Sequence, residues 1–189
     1  FNDCGCFKNM QWFSFDPTSN FDRLYLTTHE NPPSRVFDLE KEYASYFTLN
    51  GLDRPAVINW TIDENRDMIV SDDKRNDGTV NWLYSRSSGF TERTPIVQNE
   101  KLKSLTGAAV HPTTGDLYYS LYYSEAVYKC DFETREVTTP FKHLRSKETT
   151  RMVMHPTGKF MYLTQAYYSG NGKYIARVDY DEANKTFTT

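Results

Sequence analysis

The chain repeats itself, and this repeat constrains its fold more than any other feature. Four segments each carry an apolar strand that runs into a turn, and the turns lie at Pro17, Glu64, Pro112 and Pro156. The spacings between these positions are 47, 48 and 44 residues. A period of about 20 to 50 residues is typical of solenoids and propellers. The sequence therefore predicts one structural unit in each repeat.

Each repeat contains four short strands rich in aromatic and β-branched residues. In the third repeat the strands are predicted near Ala108–Val110, Leu117–Tyr119, Ala126–Cys130 and Val137–Thr139. Between the first two strands, Pro112 presets φ and Gly115 tolerates a positive φ, as a tight hairpin turn requires. Four antiparallel strands per repeat, nearly without helical periodicity, predict an all-β fold, a β-propeller built of four-stranded blades.

The four repeats divide the chain into blades of one propeller domain, 1–189. The blades are expected at about 10–50, 56–99, 105–142 and 149–189. In the first blade the last strand is expected near Tyr46–Leu49, and the preceding segment 39–45 is the one place where a helical turn fits. A parallel α/β enzyme would need a longer helix between successive strands, and the sequence offers none.

Composition excludes several classes of partner. The chain has 22 basic and 25 acidic residues, interspersed, so it has no basic footprint for nucleic acid. Its longest apolar runs are far shorter than the ~20 residues of a membrane-spanning helix, so no membrane span is expected in this chain. Cys4 and Cys6 lack the two-residue spacer of zinc and redox motifs, and the four histidines are scattered. We expect no metal site and no cofactor.

The last repeat resembles a known family of propellers. The resemblance is carried by His155 to Thr164 (HPTGKFMYLT), Gly170 to Ile175 (GNGKYI) and the Asp179 to Glu182 segment ahead of Lys185-Thr186-Phe187. This pattern resembles the NHL-type propellers that follow immunoglobulin-like IPT/TIG domains in surface proteins of Bacteroidetes. The resemblance implies a six-bladed propeller of which four blades are present here. It also implies an extracellular location at the bacterial cell surface and binding of polysaccharide or a partner surface protein.

The loops at one end of the blades are the expected ligand-binding face. In a propeller, the loops between the second and third strands and the loops between blades emerge together. Tyrosine rings give flat apolar platforms for sugars, and neighbouring polar groups bond the sugar hydroxyls. The paired tyrosines recur in matching loops of two consecutive repeats, and strand alternation is expected to bury one member of each pair. The predicted ligand-binding residues are Tyr122, Tyr123, Tyr167, Tyr168, Arg54, Arg75, Arg145 and His29.

Catalysis is not expected. His111 and His155 recur at the same point of the repeat, directly before proline, which favours a structural role. A metal-dependent propeller hydrolase or lactonase would gather metal-binding oxygens around the central channel. The channel ends of the innermost strands offer few candidate metal ligands: Thr106-Gly107 and Thr150-Arg151, with Asn59 and Asn65 nearby. We therefore predict a non-catalytic binding module. Such a hydrolase and a purely architectural propeller remain the alternatives.

Overall fold

The computed structural model describes residues 10–28, 34–41, 43–47, 49, 52, 55–72, 79–99, 105–121, 124–142, 149–165 and 175–188. Over these residues the chain forms sixteen strands and no helix. None of the described segments is therefore a helix long and apolar enough to cross a membrane.

The strands form four antiparallel sheets of four, and each sheet is one blade. Blade 1 contains β1 (Met10–Phe15), β2 (Arg23–Thr28), β3 (Ser34–Asp38) and β4 (Tyr43–Tyr46). Blade 2 contains β5 (Pro55–Trp60), β6 (Met68–Asp72), β7 (Thr79–Tyr84) and β8 (Arg93–Asn99). Blade 3 contains β9 (Leu105–Val110), β10 (Leu117–Leu121), β11 (Ala126–Cys130) and β12 (Val137–Lys142). Blade 4 contains β13 (Thr149–Met154), β14 (Phe160–Gln165), β15 (Ile175–Asp181) and β16 (Thr186–Thr188).

The strand order within each sheet follows the chain, and the blades succeed one another around a centre. The first strand of each blade is the innermost, and β1 packs beside β5, β5 beside β9 and β9 beside β13. The prediction of an all-β propeller with four-stranded antiparallel blades is confirmed.

The prediction for the end of blade 1 was wrong. β4 occupies Tyr43–Tyr46 instead of 46–49, and residues 39–41 form a turn rather than a helical turn. The cause is local. The Asp38 carboxylate accepts the backbone N–H of Lys41 at 3.1 Å and pairs with its ammonium group at 3.1 Å. This closes the turn within three residues, and the last strand starts earlier.

The hydrophobic core lies between successive blades. Tyr25 packs with Met68 and Tyr84 between blades 1 and 2, and further clusters fill the other two junctions. All five residues of β10 are buried, because blade 3 is covered on both sides by its neighbours. Each blade therefore depends on the next to remove its apolar side chains from water.

Blades 1 and 2 are joined by a buried ion pair. The Asp16 side chain is 0% exposed, and its Oδ1 accepts the backbone N–H of Thr18 at 2.9 Å. Arg86 of blade 2 binds the same carboxylate with both terminal nitrogens, at 2.9 and 3.0 Å, and its guanidinium lies 5.1 Å from the Trp60 ring. Burial alone would raise the pKa of Asp16, but the hydrogen bonds from Arg86 and Thr18 outweigh it and lower the pKa.

Blades 3 and 4 are joined by a buried histidine. His111 lies in the turn after β9, and its Nδ1 accepts the backbone N–H of Thr114 at 3.2 Å. Its Nε2 therefore carries the proton and donates to the Gly158 carbonyl of blade 4 at 3.1 Å. Gly158 has a φ of +72°, and a Cβ there would lie 2.7 Å from the His111 ring, so only glycine fits. The structural role expected for His111 agrees with this geometry.

Removing the Arg86 guanidinium should leave a buried carboxylate without its partner. We expect Arg86→Met, which keeps the apolar stem over Trp60, to lower the free energy of unfolding by about 3 kcal/mol in urea titrations. Arg177→Met is the matched control, because the Arg177–Asp179 pair is exposed and should contribute less than about 1 kcal/mol. Equal losses in the two variants would contradict this assignment.

The His111 junction should make stability depend on pH. Burial lowers the pKa of His111 from its usual 6.5, so the folded state binds a proton less readily than the unfolded chain. The stabilisation that neutral His111 gives the folded state is complete above pH ~6.5. It is lost as the pH falls from there toward the lower pKa that His111 has in the folded state. We expect the melting temperature to fall between pH 7 and 5, and to fall less in His111→Asn. Parallel pH profiles for the two proteins would refute this.

Candidate functional site

The two ends of the propeller differ in the segments they carry. The second strands of the blades all end on one side, at Thr28, Asp72, Leu121 and Gln165, and the innermost strands all begin there. We call this side the loop face and the opposite side, with its short hairpin turns, the turn face. The predicted ligand-binding residues all lie outside the described residues, so they stay predictions: Tyr122, Tyr123, Tyr167, Tyr168, Arg54, Arg75, Arg145 and His29.

Every innermost strand has a bulge at the same place. The register with the second strand slips by one residue at Gln11, Ala56, Thr106 and Thr150. A bulge bends its strand and re-aims the side chains next to it, and bulges occur at sheet edges and beside functional sites. The four blades thus share an irregularity close to the centre, at the loop-face end of the innermost strands.

The residues that follow the bulges form one ring of equivalent positions, which we call the rim. The rim residues are Trp12, Val57, Gly107 and Arg151, and their cross-strand partners are Thr27, Ser71, Ser120 and Thr164. The partner is a hydroxyl residue in all four blades. In blade 2 the buried Ser71 hydroxyl donates to Asn81 Oδ1 at 2.6 Å, which ties the second strand to the third.

The rim is a repeated feature that was not predicted from the sequence. The signal was a serine or threonine three residues after an apolar residue at the first or second position of each second strand: Leu24 to Thr27, Met68 to Ser71, Leu117 to Ser120 and Met161 to Thr164. This recurrence is visible once the second strands are aligned. The bulge itself follows from cross-strand register and has no signal in the sequence of one strand.

Trp12 and Arg151 come together at the rim. The Arg151 guanidinium carbon lies 5.1 Å from the centroid of the Trp12 ring, a cation–π distance. Trp12 is held by blade 2, because its Nε1 donates to the Ile58 carbonyl at 3.1 Å. Arg151 is exposed, and although desolvation lowers its pKa, a guanidinium keeps its charge. The rim thus combines a flat aromatic ring with an accessible cation.

Gly107 lets the backbones of β9 and β13 approach closely beneath Arg151. A Cβ at Gly107 would lie 3.2 Å from Arg151 Cα and 3.3 Å from its carbonyl carbon. Both are backbone atoms, so they cannot move aside as the end of a side chain could. The glycine therefore determines how close the backbone of Arg151 lies to β9.

Two of the residues considered for a catalytic metal, Asn59 and Asn65, lie in separate places. Asn59 joins blades 2 and 3, since its Nδ2 donates to the Ala108 carbonyl at 3.4 Å, and Asn65 lies in an exposed turn on the turn face. Within the described ranges, no three His, Cys, Asp or Glu side chains are grouped so that they could hold a metal ion. Gly107 and Arg151, by contrast, line the rim, and Arg151 offers a cation.

The turn face is occupied by contacts within and between blades. Asp16 binds Arg86, His111 binds Gly158, and Asp131 caps its own turn by accepting the Thr134 N–H at 2.8 Å. These polar groups are used to hold the fold. The rim and the loop face are therefore the better candidates for a ligand.

Comparison with solved structures identifies similar proteins from Bacteroides. An auxiliary nutrient binding protein from Bacteroides thetaiotaomicron superposes with a TM-score of 0.79 and 34% identity, over 96% of this chain and 40% of that one. One from Bacteroides ovatus gives 0.79 and 30%, over 95% and 41%. A third Bacteroides thetaiotaomicron protein, provisionally named a phosphatase, gives 0.76 and 24%, over 96% and 44%. This last likeness supports the fold alone.

The chain therefore spans about two fifths of the length of the auxiliary nutrient binding proteins that it matches. No family model and no curated protein matches the sequence.

Enlarging Gly107 should be costly because the atoms that it would meet are backbone. We expect Gly107→Ala to lower the free energy of unfolding by roughly 1–3 kcal/mol, and Gly107→Val to lower it further. Urea titration of both variants measures these losses in the free energy of unfolding. A valine variant no less stable than the alanine variant would show that close approach to β13 is not the constraint.

Proposed function

We propose that this chain is a non-catalytic, extracellular binding module that holds an acidic polysaccharide at its rim and loop face. The observation that carries the proposal is the Arg151 guanidinium over the Trp12 ring at the rim. We place the module with the NHL-type propellers of IPT/TIG domain-containing surface proteins. The names of the two Bacteroides auxiliary nutrient binding proteins, at 34% and 30% identity, support a binding role. The location outside the cell rests on the resemblance to surface proteins.

The chemistry of the pair suits an acidic sugar. A Trp ring packs against the apolar face of a sugar ring, and an arginine binds a carboxylate through two parallel hydrogen bonds. Trp12 is held in place by its bond to the Ile58 carbonyl, so its ring loses little freedom on binding. The pair therefore offers a charge for the carboxylate of a uronic-acid residue, beside the part of the half-buried Trp12 ring that stays exposed.

The loop residues would extend this site along a longer chain. Arg54, Arg75 and Arg145 provide further cations for carboxylates, and the tyrosine pairs 122–123 and 167–168 provide further platforms. His29 adds a polar ring that can bond hydroxyl groups. Several weak contacts along one polysaccharide add up to useful affinity, because neighbouring sugars reach neighbouring contacts once the first is bound.

Affinity electrophoresis against neutral and uronic-acid polysaccharides tests the proposal. We expect retardation by an acidic polysaccharide and a roughly tenfold or greater loss of affinity in Arg151→Gln, since hydrogen bonds to charged groups contribute about 1.5–3 kcal/mol. Tyr123→Ala and Tyr168→Ala should also weaken retardation. Arg135→Gln is the matched control, because Arg135 lies 4.5 Å over the Phe132 ring on the turn face.

The outcomes separate the alternatives. Retardation that is lost in Arg151→Gln but kept in Arg135→Gln supports a glycan site at the rim. No retardation by any polysaccharide, or an equal loss in both arginine variants, would reject it and favour a protein partner or an architectural role. Unfolding curves of each variant show whether a loss of binding is only a loss of fold.

A further inference from the structure

Three buried hydroxyl groups lie in the junction between blades 3 and 4. Tyr118 of β10 is 0% exposed, and its hydroxyl oxygen has no hydrogen-bond partner among the described residues. The same holds for the buried hydroxyl oxygens of Tyr180 in β15 and Thr186 in β16. Buried polar groups in native proteins are nearly always paired, with other protein groups or with ordered water. Three such hydroxyls in one junction therefore point to a shared partner.

Packing brings the three side chains together around one ring. Tyr118 and Tyr180 both make edge-to-face contacts with Phe187, and each ring centroid lies 5.0 Å from the Phe187 centroid. Thr186 directly precedes Phe187, and Tyr180 pairs with Phe187 across the sheet. Phe187 is 0% exposed, so these contacts lie inside the junction. One hydroxyl thus comes from blade 3 and two come from blade 4.

The three hydroxyl groups also act on one another electrostatically. Burial raises the pKa of Tyr118 most, and the Asp116 carboxylate and Tyr180 raise it further. The Thr186 hydroxyl lowers the pKa of Tyr118, as a group that can bond a tyrosinate does. In the neutral protein, however, Tyr118 and Thr186 do not form a hydrogen bond with each other. Neighbouring polar groups that do not bond directly are commonly bridged by water.

The charges beside these hydroxyls cancel. Lys129 Nζ lies 2.9 Å from Asp116 Oδ2, and the two side chains are only 17% and 8% exposed. The Asp116 carboxylate raises the pKa of both Tyr118 and Tyr180, so it would also repel an anion bound beside them. A cation would find the nearby carboxylate already neutralised by Lys129. A ligand of this site is therefore small, polar and uncharged.

Two direct hydrogen bonds already hold the same junction. His111 Nε2 donates to the Gly158 carbonyl at 3.1 Å, and Lys129 Nζ donates to the Lys185 carbonyl at 3.2 Å. The His111 ring lies 4.4 Å from the Tyr180 ring, measured between centroids, so the first of these bonds is close to the hydroxyl cluster. A ligand shared by the hydroxyls would add a third link between the blades, from β10 to both β15 and β16.

We propose that the hydroxyls of Tyr118, Tyr180 and Thr186 hold one buried water molecule that joins blade 3 to blade 4. The two tyrosine hydroxyls donate to the two lone pairs of the water, and the water donates one hydrogen to Thr186 Oγ1. About three hydrogen bonds are typical of a buried water, which needs two to four polar partners. Both tyrosines stay protonated at neutral pH and so remain donors.

A high-resolution crystal structure of the chain tests the site directly. We expect one ordered water whose oxygen lies about 2.5–3.0 Å from each of the three hydroxyl oxygens. In Tyr180→Phe the same water should keep only its bonds to Tyr118 and Thr186, or be displaced.

Removal of single hydroxyls gives a second test, in which the sign of the effect distinguishes the possibilities. With a shared water, Tyr180→Phe and Thr186→Val each take away one of its partners, and we expect the melting temperature to fall by about 2–4 °C. With unpaired hydroxyls, either substitution would remove a buried group that bonds to nothing, and the melting temperature would rise. The two losses should be less than additive in the double variant, because both act through the same water.

Two tyrosines serve as matched controls. Tyr162 holds in blade 4 the position that Tyr118 holds in blade 3, but it is 41% exposed, so Tyr162→Phe should change the melting temperature by less than about 2 °C. The Tyr119 hydroxyl is buried and lacks a described partner, but Tyr119 packs in the core between blades 2 and 3. No other buried hydroxyl of that core lacks a partner among the described residues, so Tyr119→Phe should not lower the melting temperature.

Any one of three results would overturn the proposal. The first is a melting temperature that rises in Tyr180→Phe or Thr186→Val. The second is a pair of losses that add fully in the double variant, or that Tyr119→Phe matches. The third is a crystal structure in which the three hydroxyls bond one another directly or bind an ion. An ordered water on all three, with coupled losses confined to these residues, supports it.

Discussion

A single four-stranded blade cannot bury its own apolar side chains, and the rest of this structure follows from that constraint. Each sheet presents apolar residues on both sides, so it is stable only between neighbours. β10 shows the result, since all five of its residues are buried between blades 2 and 4. The polar contacts between blades, Asp16 with Arg86 and His111 with Gly158, add direction to this packing. The first joins blades 1 and 2, and the second joins blades 3 and 4.

The same contacts make the turn face the side of the molecule that holds the fold. The charged and polar groups of the hairpin turns on the turn face cap those turns or join neighbouring blades. Asp131, for example, accepts the backbone N–H of Thr134. At the other end, the bulges before Trp12 and Arg151 interrupt the regular ladder near the centre. A cation of blade 4 and an aromatic ring of blade 1 meet there, and the ring is anchored by its hydrogen bond to blade 2.

The repeat predicts the fold because turn residues and strand residues recur together, and His111 could be assigned to structure for the same reason. β4 was misplaced because the hydrogen bond from Lys41 to Asp38 shortens one turn, and such a side-chain contact leaves no periodic trace. The rim was missed because a bulge is a property of two strands in register. The loop residues from His29 to Tyr168 remain predictions, since they lie outside the described part of the chain.

The rim residues differ from blade to blade, whereas their cross-strand partners are alike. The cross-strand partners are hydroxyl residues in all four blades, from Thr27 to Thr164, so the scaffold beneath the rim repeats its chemistry. The rim residues do not repeat: they are an indole, an isopropyl group, a hydrogen atom and a guanidinium. Packing needs alone would favour similar side chains at equivalent positions of a repeat. Val57 and Gly107 are buried, so of these four the half-exposed indole and the exposed guanidinium are the groups that a ligand at the centre of the propeller would meet.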